Sequence, residues 1–166
     1  MTVRIIEKSD RHNQFIIDAW IRNYGGTTVV SRGHEFVATT LPGFVALDGE
    51  RIVGALTWHR EVDQVEVVSL DSFEENVGVG TALLETASSM ARSAGVRRIW
   101  LITSNDNIRA IRFYQRRGWN LCALHVNAVE ESRKIKPSIP LIGDDDIPVR
   151  HELEFEFVFR QGRGQT

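Results

Sequence analysis

The stretch EENVGVGTALLE, Glu74 to Glu85, places two glycines at the mouth of a helical pattern. A helix start carries backbone N–H groups without intrahelical partners and about half a positive charge, so an anion can dock there if no side chain intervenes. Gly78 and Gly80 remove that obstacle. The amides of Gly78, Val79, Gly80 and Thr81, with the Thr81 hydroxyl, can then ring a diphosphate. Gly-x-Gly equally suits a tight turn and close helix packing, so taken alone it leaves both uses open. A Walker loop is excluded, because Gly-Lys-Ser/Thr occurs nowhere in the chain. A dinucleotide fold requires its glycines directly after a strand and a third glycine where Leu83 stands; here Asp71 to Val77 intervene after Leu70, which makes it the weaker alternative. Glu74 and Glu75 raise a question of their own. A carboxylate near a helix N-terminus stabilises the empty helix by ~0.3–1 kcal/mol and repels a diphosphate.

The elements that must hold this loop follow from periodicity. Val3 to Ile6 reads as a strand, and Ile16, Ala19, Trp20 and Asn23 share one face of a first helix that stops at Gly25-Gly26. Phe44 to Arg60 is a hairpin around Asp48-Gly49, and Val65 to Leu70 a further strand. From Val77 the period becomes helical until Gly95. Val96 to Thr103 ends in an unbroken apolar run, the mark of a central strand covered on both faces. Asn107 to Arg117 reads as a helix and Trp119 to Val126 as a strand. A long loop follows, and then HELEFEFVF, in which Glu152, Glu154 and Glu156 alternate with apolar residues as in a strand with one face in water. The order predicts a single mixed α/β domain over residues 1–160, antiparallel in its first half, with a right-handed parallel β-α-β crossover around the glycines. Residues 161–166 are expected to be a flexible tail.

The chain has 166 residues, 42% hydrophobic and 25% charged, enough for one core, and its net charge of -2 supplies no general attraction to nucleic acid or anionic membrane. One cysteine, Cys122, excludes an intramolecular disulfide, and no segment reads as a signal peptide or membrane span, so a cytoplasmic location is expected.

SNDNIRAIRFYQRRGW, Ser104 to Trp119, resembles the Asn-x-x-Ala-x-x-Phe-Tyr-x-x-x-Gly-Phe signature of the GCN5-related N-acetyltransferase (GNAT) family at Asn107, Ala110, Phe113, Tyr114 and Gly118, with Trp119 as the final aromatic. Gly78 and Gly80 are similar to that family's Arg/Gln-x-x-Gly-x-Gly/Ala loop, at the right distance upstream. The resemblance covers Val65 to Trp119 closely and the rest by element order. It implies a co-substrate, acetyl-CoA, held without metal between two strands that part. The pantetheine arm would pair with backbone around Leu70 and touch Asn107, and the diphosphate would rest on Val77 to Thr81. Where the family carries Arg or Gln the chain has Glu75, from which weaker coenzyme affinity is expected, to be raised by Glu75→Arg.

Acetyl transfer to an amine with a pKa of about 10.4, if lysine-like, needs a base for the ammonium and an acid for the departing thiolate. Tyr114 matches the family's general acid. Glu66 is the candidate base: it lies on the strand leading to Leu70, and two-residue alternation puts it on Leu70's face. Gln64 stands where some relatives carry a carboxylate, and others use a water chain. The function implied is an N-acetyltransferase acting on a small-molecule or protein amine by direct attack in a ternary complex. The alternatives are an acyl-CoA-binding module without turnover and, less favoured, a dinucleotide-binding protein.

Asn107 also suits a helix cap. Arg109, Arg112 and Arg116 form a stripe that is either a solvated face or a contact for the coenzyme's 3'-phosphate. His12, His34, His59, His125 and His151 lack metal-ligand spacing, and Asp144 to Asp146 lack that of a calcium loop. Cys122 is expected as a small buried hydrophobe. The family's acceptor pocket maps to Trp20–Phe36 and Ala128–Pro148, whose Arg32, His34, Glu35, Arg133, Lys134 and aspartates mix both signs and select no substrate. The exposed long loop and charged last strand leave homodimerisation open.

Overall fold

A computed structural model describes residues 2–74 and 77–160. Strands β1 (Val3–Glu7), β4 (Gly43–Asp48), β5 (Arg51–Arg60), β6 (Gln64–Ser72), β7 (Arg98–Ser104), β8 (Asn120–His125) and β9 (Glu152–Val158) form one sheet in the order β1-β4-β5-β6-β7-β9-β8. A separate hairpin pairs β2 (Thr28–Ser31) with β3 (His34–Val37). The helices are α1 (Asn13–Tyr24), α2 (Val79–Ser93), α3 (Ile108–Arg116) and α4 (Ala128–Ile135). The hairpin β2–β3 and α4 were not legible in the periodicity; both are eight residues or fewer in their helical or paired parts and carry no strong turn or period signal. Among the described residues no helix is long and apolar enough to cross a membrane.

The sheet has a core on each face. Under α2 and α3, Val65, Val67, Ile99, Leu101 and Phe155 meet Leu83, Ala87 and Tyr114; under α1, Val45, Ala55 and Val68 meet Ile16 and Trp20. The alanines of α2 let the helix lie close on the sheet. Its first residue settles on β5 at Gly54, where a Cβ would stand 2.6 Å from Val79 Cγ1. A side chain at position 54 would lift the start of α2.

Two features of β6 position the site. It runs parallel to β7, but the pairing extends only from Gln64↔Arg98 to Val67↔Leu101; beyond it β6 stays with β5 and β7 with β9, and the two part. Just there β6 carries a bulge against β5, where Thr57↔Ser69 is followed by Trp58↔Val67, leaving Val68 as the extra residue.

The last strand departs from expectation. β9 inserts between β7 and β8, so its glutamates face protein: Glu152 and Glu154 are buried, at 4% and 9% exposure. Arg98 Nη1 donates to Glu154 Oε1 and Glu156 Oε2, both at 2.7 Å, and His125 Nε2 lies 2.8 Å from Glu154 Oε2. Burial pushes the Glu154 carboxyl up, but the bonds from His125 and Arg98 outweigh it and its pKa is lowered. The same insertion sends β8 to the sheet edge, so Cys122 is exposed rather than buried.

Candidate active site

Where β6 and β7 part lies a cleft of about 510 Å³, lined by Val67–Leu70 and Leu101–Ser104 from the two strands, and by Asn107, Ala110 and Tyr114. Its opposite wall comes from Tyr24, Val29 and Val30, and from Ser132, Lys136 and Glu152. Strands that separate leave ladder N–H and C=O groups facing each other across the gap, a natural seat for an extended ligand carrying amides. Leu70 is on this edge.

At the end of β6 stands the glycine loop. Gly78 precedes α2 with φ 80°, a left-handed conformation that side chains rarely adopt, and directs the chain into the helix. Gly80 is buried, and a Cβ there would meet the Phe113 ring at 3.4 Å and Ser72 Cβ at 3.8 Å. The first turn of α2, entered through two glycines, thus lies between the end of β6 and α3 with its first backbone N–H groups free of intrahelical partners. Val79 points into the core and contributes only backbone, Val77 is exposed, and the Thr81 hydroxyl accepts a hydrogen bond from Arg117 Nε at 2.8 Å. Asn107 caps α3, its Oδ1 accepting from the Ala110 amide at 3.1 Å, and also lines the cleft, so its two expected roles are compatible.

Tyr114 is buried to 8% exposure, its ring 5.8 Å from that of Phe155 and 5.7 Å from that of Trp119. Burial raises its hydroxyl well above the ordinary value, with the charge of Asp71 adding to the shift and Arg117 opposing it. It stays a proton donor at any physiological pH. Asp71, itself buried, is pushed up to about 6 by burial, against hydrogen bonds from Asn23 and Tyr24; Asn23 Nδ2 donates to it at 2.7 Å.

The structure corrects the expected placement of Glu66. The bulge turns both Val68 and Ser69 toward α1, where Trp20 Nε1 donates to Ser69 Oγ at 3.1 Å, while Leu70 packs with the α2 core. Glu66, flanked by Val65 and Val67 of the α2 core, therefore lies on the face opposite Leu70. Alternation fails because one extra residue reverses it. There Glu66 is 4% exposed and accepts a short hydrogen bond from the Ser31 hydroxyl. Burial pushes its carboxyl up to about 7; the charges of Glu61, Glu152 and Glu154 add to the shift and Ser31 opposes it. Gln64 is not at the cleft: it lies at the closed end of the parallel pairing, accepting from Arg98 Nε at 2.8 Å and donating to Glu61.

Three further residues, Ser132, Lys136 and Glu152, complete the wall opposite the two strands. Glu152 accepts from Ser132 Oγ at 3.2 Å and from the Arg32 amide at 3.1 Å. Lys136, buried, donates to the carbonyls of Tyr24 and Thr28, both at 2.6 Å, and so ties α4 to α1 and β2. None of these had a signal in the sequence, because each depends on a contact outside its own element: Ser132 across 20 positions, Glu152 and Lys136 across more than a hundred. Arg109, Arg112 and Arg116 are exposed. Glu75 lies outside the described residues. No group of three metal-ligating side chains converges among the described residues.

Comparison with known proteins bears on this geometry. The sequence pattern of the acetyltransferase (GNAT) family matches residues 10–119. The Bacillus subtilis protein YxbD is 47% identical over 133 residues, which cover 80% of this chain and 84% of that protein. Among solved structures, a GNAT family acetyltransferase from Elizabethkingia anophelis with acetyl-CoA bound superposes with a TM-score of 0.67 at 15% identity, covering 95% of this chain and 98% of that one. The ribosomal-protein-S18-alanine N-acetyltransferase from Escherichia coli does so with 0.71 at 13% identity, covering 99% of each.

Proposed function

This chain belongs to the acetyltransferase (GNAT) family, and from that premise we propose that it moves an acetyl group from acetyl-CoA to a primary amine by direct attack while both are bound. The observation that carries the reading is the opening between β6 and β7, with buried Tyr114 in its wall and the bare first turn of α2 at the end of β6. The backbone around Leu70 and Asn107 would hold the pantetheine arm, and the amides from Val77 to Thr81 the diphosphate. That a family neighbour carries acetyl-CoA supports this, and so does the left-handed backbone of Gly78 at the entrance to α2.

In the reaction a neutral amine nitrogen forms a bond to the thioester carbonyl carbon, and the carbon–sulfur bond breaks. The thiolate takes the hydroxyl proton of Tyr114, which burial has kept in place. The proton that the nitrogen sheds goes to Glu66. Because Glu66 lies behind the cleft wall under Ser31, it acts through an intervening water. A carboxyl poised at about 7 is well matched to that task, being largely ionised just above neutrality yet basic enough to accept a proton.

The test is thiol release from acetyl-CoA across a panel of amines, alongside calorimetric titration with acetyl-CoA. Release with at least one amine is expected. Tight binding with no release on any acceptor would instead mark an acyl-CoA-binding module, and binding of NAD but not CoA a dinucleotide protein.

A further inference from the structure

Two carboxylates precede the glycine loop, one of them, Glu75, where the family pattern has arginine or glutamine. Glu74 is neutralised from the β4–β5 hairpin, with Arg51 Nη1 2.6 Å from its Oε1. On the opposite side of the first turn of α2 stands Arg117, directly after α3. Its Nε donates to Thr81 Oγ1 at 2.8 Å, its Nη1 donates to the Phe113 carbonyl at 3.0 Å, and its guanidinium carbon lies 3.5 Å from the Phe113 ring centre. Phe113 in turn backs Gly80. Glycine, aromatic ring, guanidinium and hydroxyl thus form one stack against the bare amides.

Holding an exposed arginine in a single geometry costs up to about 2 kcal/mol of side-chain entropy, which isolated surface contacts rarely return. Three contacts hold this one beside the first turn of α2, at the head of a groove that runs along the helix past Leu84, Glu85 and Ser88, and a guanidinium so fixed is pre-organised for phosphate oxygens. The hydroxyl is also set: since Thr81 Oγ1 accepts from Arg117, its own proton is directed elsewhere and can be donated. Resting on the acetyl-CoA reading above, we infer that Arg117 is an affinity-determining residue for the coenzyme's diphosphate, supplying the positive charge that position 75 lacks and orienting Thr81 to donate to the same group.

Calorimetric titration of the intact protein with acetyl-CoA and with dephospho-CoA, at low and high salt, tests this. Arg117→Met keeps an apolar stem over Phe113 while removing the charge. It is expected to weaken both ligands by the same factor, about tenfold at low salt, with the loss shrinking at high salt and the melting temperature little changed. Thr81→Val should weaken both about threefold, being an uncharged contact. Unchanged affinity in Arg117→Met overturns the assignment. So does a loss seen with acetyl-CoA but not with dephospho-CoA, which would move the contact to the 3'-phosphate. Wild-type protein that binds neither ligand defeats the acetyl-CoA reading itself, an outcome distinct from the other two.

Discussion

The two sides of the cleft are built in different ways. The side proposed to hold the coenzyme comes from one continuous run, β6 through α3, in which each piece is fixed by its neighbours in the chain: a strand, a left-handed glycine, a helix, a second strand, a capped helix. The opposite side, proposed to meet the acceptor, is assembled from segments far apart. Arg32 meets Glu152 across 120 positions and Lys136 reaches Tyr24 across 112. A phosphate cradle needs backbone amides and can be specified locally, whereas an acceptor wall needs particular side chains and can be gathered from anywhere. The second arrangement is the one free to change without disturbing the first.

Tyr114→Phe breaks the comparison most sharply, since it strikes where the sides meet. Turnover should fall about 100-fold while acetyl-CoA affinity is kept, measured by steady-state kinetics beside calorimetry; unchanged turnover removes the hydroxyl from the chemistry. Lys136→Met should cost roughly 1–3 kcal/mol of stability in chemical denaturation by orphaning two half-buried carbonyls, yet leave acetyl-CoA affinity intact. A matching loss of coenzyme binding would mean that the two sides are not separable.

Glu66→Gln should lower kcat/KM about tenfold above pH 7 and abolish the rise of rate through that pH, as read from a pH–rate profile. The same variant makes a stability forecast. A carboxyl ordinarily titrating at 4.5 but at about 7 in the folded state holds its proton more tightly when folded, so its support is complete at acid pH and lost as pH rises from 4.5 through 7. Glutamine imitates the protonated form. The variant should therefore melt higher than wild type at pH 8 and show no such gain at pH 4. The smallest effect is that of Asn107→Ala, about 1 kcal/mol for the lost cap in a melting experiment, accompanied by weaker coenzyme binding if its cleft-facing role holds.

The same contrast explains what was legible in the sequence. Gly78, Gly80, Asn107 and Tyr114 announced themselves because turns, caps and helical stripes are properties of a few consecutive residues. Glu66 is legible as a carboxylate on β6 but its face is not, since a bulge is invisible to alternation. The glutamates of β9 read as solvent-facing for a similar reason: a two-residue period shows that a strand has two faces, not what covers them, and here Ser132 of α4 and the Arg32 amide of the β2–β3 turn meet Glu152 while Arg98 and His125 meet Glu154. Ser31, Lys136 and Glu152 could not be singled out at all. Each is an ordinary polar residue until a distant partner arrives.

The odd residue in β6 has a practical corollary. Val68 makes the strand one position too long for its neighbour, and only that surplus lets Glu66 serve one side of the sheet while Leu70 serves the other. A chimera that swapped in a regular strand of matching hydrophobicity would fold with its ledger of inward and outward residues reversed past that point. Engineers who transplant acceptor loops between such enzymes should treat the miscount as part of the cargo.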